Sequence, residues 1–248
     1  MTFKIAAWNI RGLNGPSKHR ELKNFVVKEE IKVTGILETK IKAVIEKKIF
    51  SSCLKNWSFL SNSQPNETGR ICVSWDSNFC MVNQLSASDQ HIFCEITDLT
   101  QASSFLACFV YADNNYSVRR VFCETMVRLS HSQSNCPIAF LGDFNATRYS
   151  HEKFGGSQIW NSLKEEFNSY ILASELDDLS YTGCQFTWAN KRDCGEYIAT
   201  KIDRVLVNES WLDKFPNSTA IFLPSTISDH SPAVVTVSDA VTSYKKPF

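Results

Sequence analysis

Polar side chains that can handle protons, metal ions or phosphate stand where apolar, strand-like runs of this 248-residue sequence end or begin. The run "IAFLG" leads directly into Asp143 and Asn145, which lie two positions apart. The other such residues are Asn9, Glu38, Tyr111, Asp203, Asp229 and His230. Residues two apart in a strand point to the same face, so an extended backbone past Gly142 would direct Asp143 and Asn145 to one spot.

Each of these residues also has a simpler interpretation. An Asp-x-Asn sequence after a strand often forms a turn that bonds its own backbone. Glu38 could cap the helix-like stretch "ETKIKAVIEKK", and Asp203 could pair with Arg204 or Lys201 at the surface. Asp229 could be a turn residue. Taken one at a time, most of the residues favour these structural roles, and their spacing alone does not show that they converge.

The elements that must position these residues are strands interspersed with helices. Apolar runs and alternation predict strands over 3–10, 33–38, 71–75, 81–85, 91–96, 105–111, 138–144, 185–188, 202–207, 220–223 and 233–237. Helical periodicity predicts helices over 18–29, 117–130 and 160–174. This arrangement indicates an α/β sandwich with helices outside a β core, in one domain over residues 1–240 followed by a tail at 241–248.

Composition excludes several classes of protein. No apolar run approaches the roughly 20 residues of a membrane helix, and the N-terminus does not resemble a signal peptide. The nine cysteines include no CxxC pair and several lie in strand-like runs, which favours buried free thiols over disulfides or a zinc site. We therefore expect no membrane partner and a nuclear or cytoplasmic location rather than secretion.

The charge is balanced overall but not along the chain. The formal net charge is zero, yet residues 1–48 carry 11 Lys/Arg and 5 Asp/Glu, a net charge of +6. A basic face of this kind can follow phosphates, although a solvated helix face has the same composition. Candidate phosphate contacts along the chain are Lys18, Arg20, Arg148, Arg192 and Arg204.

Seven short motifs occur in order between residues 8 and 232: "WNIRGLN", "LETK", "VYADN", "LGDFNA", "FTWAN", "KIDRVLVN" and "SDHSP". In this order they resemble the endonuclease/exonuclease/phosphatase superfamily of divalent-metal phosphodiesterases. Within it, "WNIRGLNGPSK", "KIDRVLVNESWLDKFPNS" and the closing "KKPF" are similar to the endonuclease domain of plant LINE-type (non-LTR) retrotransposons. The resemblance implies a four-layer α/β sandwich, with two mainly antiparallel β-sheets face to face, flanked by helices.

The resemblance also implies a metal and a water site. Glu38 would be the main Mg²⁺ ligand, with Mn²⁺ a possible substitute, and Asn9 would support the metal or the phosphate. Asp229 would complete the acidic cluster near the metal. Asp143 would activate or orient the attacking water, and Asn145 would hold the phosphate or that water. A hard cation with oxygen ligands suits this chemistry because it neutralises an anionic phosphodiester.

Further residues are implied to contact the substrate. Tyr111 and Asn114 would contact phosphate oxygens, and Asn190 would lie at the DNA. His230, oriented by Asp203, would bond the scissile phosphate, because a carboxylate fixes the imidazole ring and favours its cationic form.

Two positions depart from relatives in the superfamily. Arg11 stands where abasic-site nucleases carry an acidic residue, so a second carboxylate at the metal is missing. Arg11 can instead contact a DNA phosphate as a forked donor, which weakens the expectation of abasic-site repair. Asp113 replaces a proline that many relatives have in the tyrosine loop, so the backbone there is less constrained.

The leading hypothesis is a Mg²⁺-dependent DNA endonuclease that nicks one strand and leaves a 3′-hydroxyl to prime reverse transcription. We expect a monomer that forms part of a longer polypeptide with a reverse transcriptase. One alternative is a phosphatase or phosphodiesterase of the superfamily that acts on a phosphoinositide or RNA. Another is a catalytically decayed copy that only binds DNA.

Overall fold

The computed structural model describes residues 3–64, 68–156, 162–192 and 195–238, so the predicted tail at 241–248 lies outside the described residues. The strands of the described part are β1 (Phe3–Asn9), β2 (Val33–Leu37), β3 (Trp57–Ser61), β4 (Ile71–Asp76), β5 (Cys80–Ala87), β6 (His91–Asp98), β7 (Ser103–Tyr111), β8 (Ile138–Asp143), β9 (Lys153–Phe154), β10 (Asp177–Asp178), β11 (Tyr181–Gly183), β12 (Trp188–Ala189), β13 (Ala199–Thr200), β14 (Asp203–Val207), β15 (Thr219–Phe222) and β16 (Ala233–Val237). The helices are α1 (Pro16–Lys28), α2 (Ala43–Cys53), α3 (Tyr116–Ser132), α4 (Ser162–Ala173) and α5 (Glu209–Lys214).

Two large sheets and one small sheet contain these strands. The first large sheet has the order β11-β15-β16-β1-β2-β4-β3, and the second has the order β10-β14-β8-β7-β6-β5. The strand pairs β1–β2, β7–β8 and β11–β15 are parallel, and the other neighbours in the two sheets are antiparallel. The small sheet has the order β12-β13-β9. The predicted pair of mainly antiparallel sheets is confirmed.

The strands at the centre of each sheet are buried on both faces. In β1, Ile5 and Ala7 pack between the sheets, whereas Ala6 and Trp8 pack under α1 and α2. Since both faces are covered, these strands are mostly apolar instead of alternating regularly with polar residues. A fully buried Ile side chain such as that of Ile5 stabilises the fold by about 1.5–3 kcal/mol.

The two large sheets lie face to face in close contact. A Cβ atom added to Gly35 of β2 would lie 2.2 Å from a ring carbon of Phe109 in β7, so the absent side chain lets the phenyl ring reach the opposite sheet. On the outer side of the second sheet, Phe122 of α3 and Phe167 of α4 pack with Phe140 of β8. The result is the expected four-layer α/β sandwich.

The structure corrects several predicted elements. Strand β3 and helix α5 were missed, because one is a half-buried edge strand and the other is too short for a periodic pattern. The strand predicted over 185–188 is reduced to Trp188–Ala189. The N-cap position of α2 is Lys42, which makes no side-chain capping bond, so the alternative interpretation of Glu38 as the cap is wrong.

The structure also bears on two predictions made from composition, those for the cysteines and for membrane helices. Eight cysteines of the described residues are free thiols, and six of these are buried, as expected. Among the helices of the described ranges, none is long and apolar enough to cross a bilayer.

Candidate active site

The ends of the central strands bring most of the predicted polar residues together at one edge of the sandwich. Because β1 and β2 are parallel, and β7 and β8 are parallel, the carboxyl ends within each pair lie side by side. A cavity of about 260 Å³ opens at this edge. Its lining residues are Asn9, Arg11, Glu38, Tyr111, Asn114, Asp143, Asn145, Trp188, Thr200, Ile202 and His230. Eight of the twelve residues assigned to a site from sequence therefore line one cavity.

Asp143 is held at the base of this cavity by two donors. The Asn9 side-chain amide donates to its Oδ2 at 2.9 Å, and the backbone N–H of Asn145 donates to its Oδ1 at 2.9 Å. Asn145 has a left-handed backbone (φ +48°), and its side-chain amide donates to the Ala112 carbonyl at 2.8 Å. The backbone therefore does not stay extended to Asn145, and the alternative interpretation of Asp-x-Asn as a turn that bonds its own backbone is confirmed. An Asx turn, which such residues favour, brings both side chains to the cavity instead.

Gly142 allows strand β8 to bend just before Asp143. Its φ is +138°, and an added Cβ atom would lie 2.2 Å from the Val110 carbonyl oxygen of the neighbouring strand. Only glycine fits this close approach, which sets the position of Asp143 relative to β7.

His230 lies between two carboxylates. Its Nδ1 is 3.0 and 3.2 Å from the two oxygens of Asp203, and its Nε2 is 3.8 Å from Asp143 Oδ2. Burial alone would lower the pKa of His230, but the charges of Asp203 and Asp143 outweigh it and raise this pKa to about 9. The imidazole is therefore protonated at neutral pH and directs a positive charge towards the cavity.

Asp143 is a buried carboxyl group that titrates near neutral pH. Burial raises its pKa to about 7, and repulsion from Asp203 adds to this effect, although His230 and the two hydrogen bonds oppose it. Such a pKa suits a group that accepts a proton from water, since the best general base titrates near the working pH.

Glu38 follows β2 and is surrounded by cationic and hydroxyl groups. Lys40 Nζ lies 2.6 Å from its Oε1, and Arg11 Nε lies 4.0 Å from its Oε2. The Tyr111 hydroxyl also bonds to Glu38. Burial, followed by the charges of Glu38 and Asp143, raises the pKa of Tyr111 well above its usual range, so its hydroxyl keeps its proton.

Two donor sets in the described residues could hold a divalent cation. Ligand atoms of Asp143, Asp203 and His230 lie within 4.8 Å of one another. A histidine must be neutral to bind a metal, and the raised pKa of His230 opposes this. Glu38 fits better, because Mg²⁺ typically takes one or two protein carboxylates and completes its shell with waters and substrate phosphate. The carboxamide of Asn9 lines the same cavity and offers a further oxygen.

Asp229 holds Arg11 beside the cavity. Its Oδ2 accepts a hydrogen bond from Trp188 Nε1 at 2.8 Å and also pairs with the Arg11 guanidinium. Although burial opposes ionisation, the charge of His230 and these two hydrogen bonds lower the pKa of Asp229. Its role at the metal and the contact of Arg11 with DNA stay predictions.

The structure contradicts two predicted phosphate contacts. Arg204 is 0% exposed and pairs with Glu152 and Asp178. Arg148 is also buried and pairs with Asp177 and Asp178. Both arginines stabilise the interior and cannot reach a nucleic acid. Alternation along a strand gives the reason for Arg204, since the residue after an inward Asp203 points to the opposite face.

Other predicted contacts lie away from the cavity lining. The Asn190 side chain donates to the Glu196 carbonyl at 2.7 Å and accepts from the Ile198 N–H at 3.1 Å, so it shapes its own loop. Arg192 pairs with Glu196 at 3.2 Å, and Arg20 is exposed on α1.

Four residues at the site were not assigned from sequence. Trp188, Thr200 and Ile202 line the cavity, and Lys40 contacts Glu38. Trp188 and Lys40 belong to the motifs "FTWAN" and "LETK". Their membership in these motifs is the sequence feature that could have identified them.

Lys18 lies at the base of the same loop as Arg11. Its Nζ donates to the carbonyl oxygens of Ile10 at 2.5 Å and Arg11 at 2.8 Å, so this lysine supports the loop.

Comparison with known proteins gives matches by structure only. No protein-family model matches the sequence, and no curated protein matches it. The endonuclease domain of TRAS1, a telomere-specific non-LTR retrotransposon, superposes with a TM-score of 0.73 at 13% identity and covers 96% of this chain and 99% of its own. The AP endonuclease LMAP from Leishmania major gives a TM-score of 0.70 at 13% identity, covering 96% and 88%.

A third solved structure carries the superfamily's own name. An endonuclease/exonuclease/phosphatase family protein from Bacteroides thetaiotaomicron gives a TM-score of 0.69 at 13% identity, and the match covers 97% of this chain and 99% of that one. These matches extend over nearly the whole chain, as the seven ordered motifs do. The chain therefore has the fold of the endonuclease/exonuclease/phosphatase proteins.

Proposed function

We propose that the protein is a divalent-metal-dependent phosphodiesterase that acts on DNA as an endonuclease. The observation that carries this proposal is the placement, in one cavity, of a buried carboxyl group with a raised pKa beside an imidazole that a second carboxylate holds. Asp143 and His230 supply these groups, with 3.8 Å between Asp143 Oδ2 and His230 Nε2. Hydrolysis of a phosphodiester needs a group that takes a proton from water and a cation beside the phosphate oxygens.

The remaining residues orient the reactants. Asp203 holds the imidazole ring of His230, so its free Nε2–H donates to a phosphate oxygen. The side-chain amide of Asn9 and the backbone N–H of Asn145 hold Asp143, and both asparagine side chains line the cavity where the water would lie. Glu38 would hold the divalent cation, which neutralises the charge on the phosphate when it is bound.

Two features support the proposed substrate, the first for a phosphodiester in general and the second for DNA. Arg11 and Lys40 place positive charge at the cavity, within a segment of net charge +6. The motifs resemble those of retrotransposon endonucleases, and TRAS1 supplies one of the structural neighbours. We infer that the enzyme nicks one strand, leaves a 3′-hydroxyl for target-primed reverse transcription, and belongs to a LINE-type element of a plant. Mg²⁺ is the proposed cofactor.

A supercoiled-plasmid nicking assay tests this proposal. Purified protein is expected to produce open circles with Mg²⁺ or Mn²⁺ and none with EDTA. Glu38→Gln and His230→Ala should each slow nicking at least about 100-fold, whereas Glu124→Gln, on an exposed position of α3, should not. Extension of the nicks by a DNA polymerase, without prior phosphatase treatment, reports the 3′-hydroxyl.

Other outcomes would favour the alternatives. Turnover of a phosphoinositide or RNA with no nicking of DNA would replace the substrate in the proposal. Salt-dependent DNA binding without turnover in any metal would indicate a decayed copy that retains only binding.

A further inference from the structure

Lys40 is the cation in direct contact with the carboxylate that we expect to hold the metal. Its Nζ lies 2.6 Å from Glu38 Oε1, and its side chain is 54% exposed while that of Glu38 is 13% exposed. A divalent cation at Glu38 would have to share this oxygen with the ammonium group or displace it. The contact therefore bears on how the site binds metal.

The backbone conformation of this segment places the Lys40 ammonium group against the Glu38 carboxylate. Glu38 and Lys40 have left-handed backbones (φ +52° and +53°), and Thr39 between them is fully buried. The Lys40 N–H and the Thr39 hydroxyl both donate to the Gly69 carbonyl at 2.9 Å, and the Leu13 N–H donates to the Thr39 carbonyl at 2.8 Å. Left-handed backbones are unfavourable for non-glycine residues and persist only where the surrounding structure fixes them. The surroundings here fix both, and the two side chains meet at the cavity.

Lys40 differs from the other cations nearby in the partners it has. The Arg11 guanidinium pairs with Asp229 and reaches Glu38 only at 4.0 Å, and the Lys18 ammonium bonds to backbone carbonyls. Lys40 forms its ion pair with Glu38, and its aliphatic stem passes over Gly12, where an added Cβ atom would lie 3.7 Å from Lys40 Cδ. A half-exposed lysine with this anchorage can move its ammonium group without disturbing the fold.

We propose that Lys40 is a positioning residue with two alternating partners. Without metal its ammonium group neutralises Glu38 and keeps this carboxylate directed at the cavity. When a divalent cation binds Glu38, the two cations compete, and the ammonium group turns to a phosphate oxygen of the substrate. The first part concerns metal binding alone, and the second part rests on the proposed function.

Metal binding without DNA tests the first part. Lys40→Met keeps the stem over Gly12 and removes the charge, and Lys47→Met removes one charge from an exposed position of α2 as the matched control. The partly exposed ion pair is worth up to about 1 kcal/mol, so Lys40→Met should bind Mn²⁺ about fivefold more tightly than wild type. Calorimetric titration with Mn²⁺ measures this.

The controls decide the interpretation. Lys47→Met and Lys40→Arg should bind Mn²⁺ as wild type does, and Glu38→Gln should lose the binding. Unchanged or weaker Mn²⁺ binding by Lys40→Met would overturn the competition. A melting temperature equal to that of wild type would show that the variant is folded, as expected for a half-exposed side chain.

Plasmid nicking at saturating Mn²⁺ tests the second part. Lys40→Met should nick about tenfold more slowly, because a cation at the phosphate is lost, and Lys40→Arg should restore most of the rate. A wild-type rate for Lys40→Met would overturn the contact with phosphate. If Lys40→Met binds Mn²⁺ more tightly than wild type but wild type nicks no DNA, the proposed function fails. The competition between Mn²⁺ and the Lys40 ammonium group at Glu38 then still stands.

Discussion

Arg204 offers a direct test of the interior charges, because the sequence suggested a DNA contact and the structure buries it. Its Nη1 lies 3.0 Å from both oxygens of Asp178, and its Nη2 pairs with Glu152. Arg204→Met retains much of the apolar stem and removes the guanidinium. Glu152 is then left as a buried carboxylate without this partner, whereas Asp178 keeps Arg148 at 3.1 Å and Lys201 at 3.5 Å.

The expected loss follows from this difference between the two carboxylates. Removing one partner of a buried ion pair costs about 3–5 kcal/mol, mainly through the charge left behind. In a protein of about this size, 1 kcal/mol shifts the melting temperature by roughly 2–4 °C. Arg204→Met should therefore melt about 6–20 °C below wild type in differential scanning calorimetry or circular dichroism.

A second variant separates charge from packing. In the double variant Glu152→Gln/Arg204→Met the uncompensated charge is gone, and the glutamine oxygen can still accept from the backbone N–H groups of Arg148 and Tyr149. It should recover most of the lost melting temperature. Arg20→Met, on the exposed face of α1, should change the free energy of unfolding by no more than about 0.5 kcal/mol.

Two results would refute this reasoning. If Arg204→Met melts within about 2 °C of wild type, the guanidinium does not compensate a buried charge. If the double variant is no more stable than the single one, the loss comes from packing and not from Glu152.

Three further predictions concern catalysis, pH and packing. His230→Ala should slow plasmid nicking at least about 100-fold while leaving DNA binding in a gel-shift assay unchanged, and equal loss of both would contradict its catalytic role. Although burial opposes ionisation, the charge of Arg204 lowers the pKa of Asp178, so its stabilising effect is complete above the usual carboxyl pKa and disappears as the pH falls through the lower folded value. Asp178→Asn should therefore lose less stability than wild type between about pH 5 and 2 in urea unfolding, and parallel curves would argue against the linkage. Gly35→Ala should destabilise the fold by about 1–3 kcal/mol, measured in the same assay, because its Cβ atom would overlap the Phe109 ring; an unchanged midpoint would mean that the sheets can separate at no cost.

The sequence by itself carried the fold class and most of the cavity. Apolar runs located the central strands, and the order of seven motifs pointed to residues that do line one cavity, Glu38, Asp143 and His230 among them. This was possible because the chemistry sits at strand ends. At a strand end the buried apolar run stops and a polar residue follows. This change from apolar to polar residues can be recognised in the sequence.

Only the tertiary structure decided which charged side chains face the solvent. It also decided which backbone conformations direct the functional side chains to the cavity. Arg204 and Arg148 have the sequence character of surface cations, but distant carboxylates, Glu152 and Asp178, meet them in the interior. The Asn145 side chain is held by the Ala112 carbonyl, 33 positions away. The pairing of Lys40 with Glu38 is local in sequence, yet it depends on left-handed backbones that the Gly69 and Leu13 loops hold. A local pattern fixes periodicity and apolar content, whereas burial, partner and pKa depend on what the rest of the chain places beside each group.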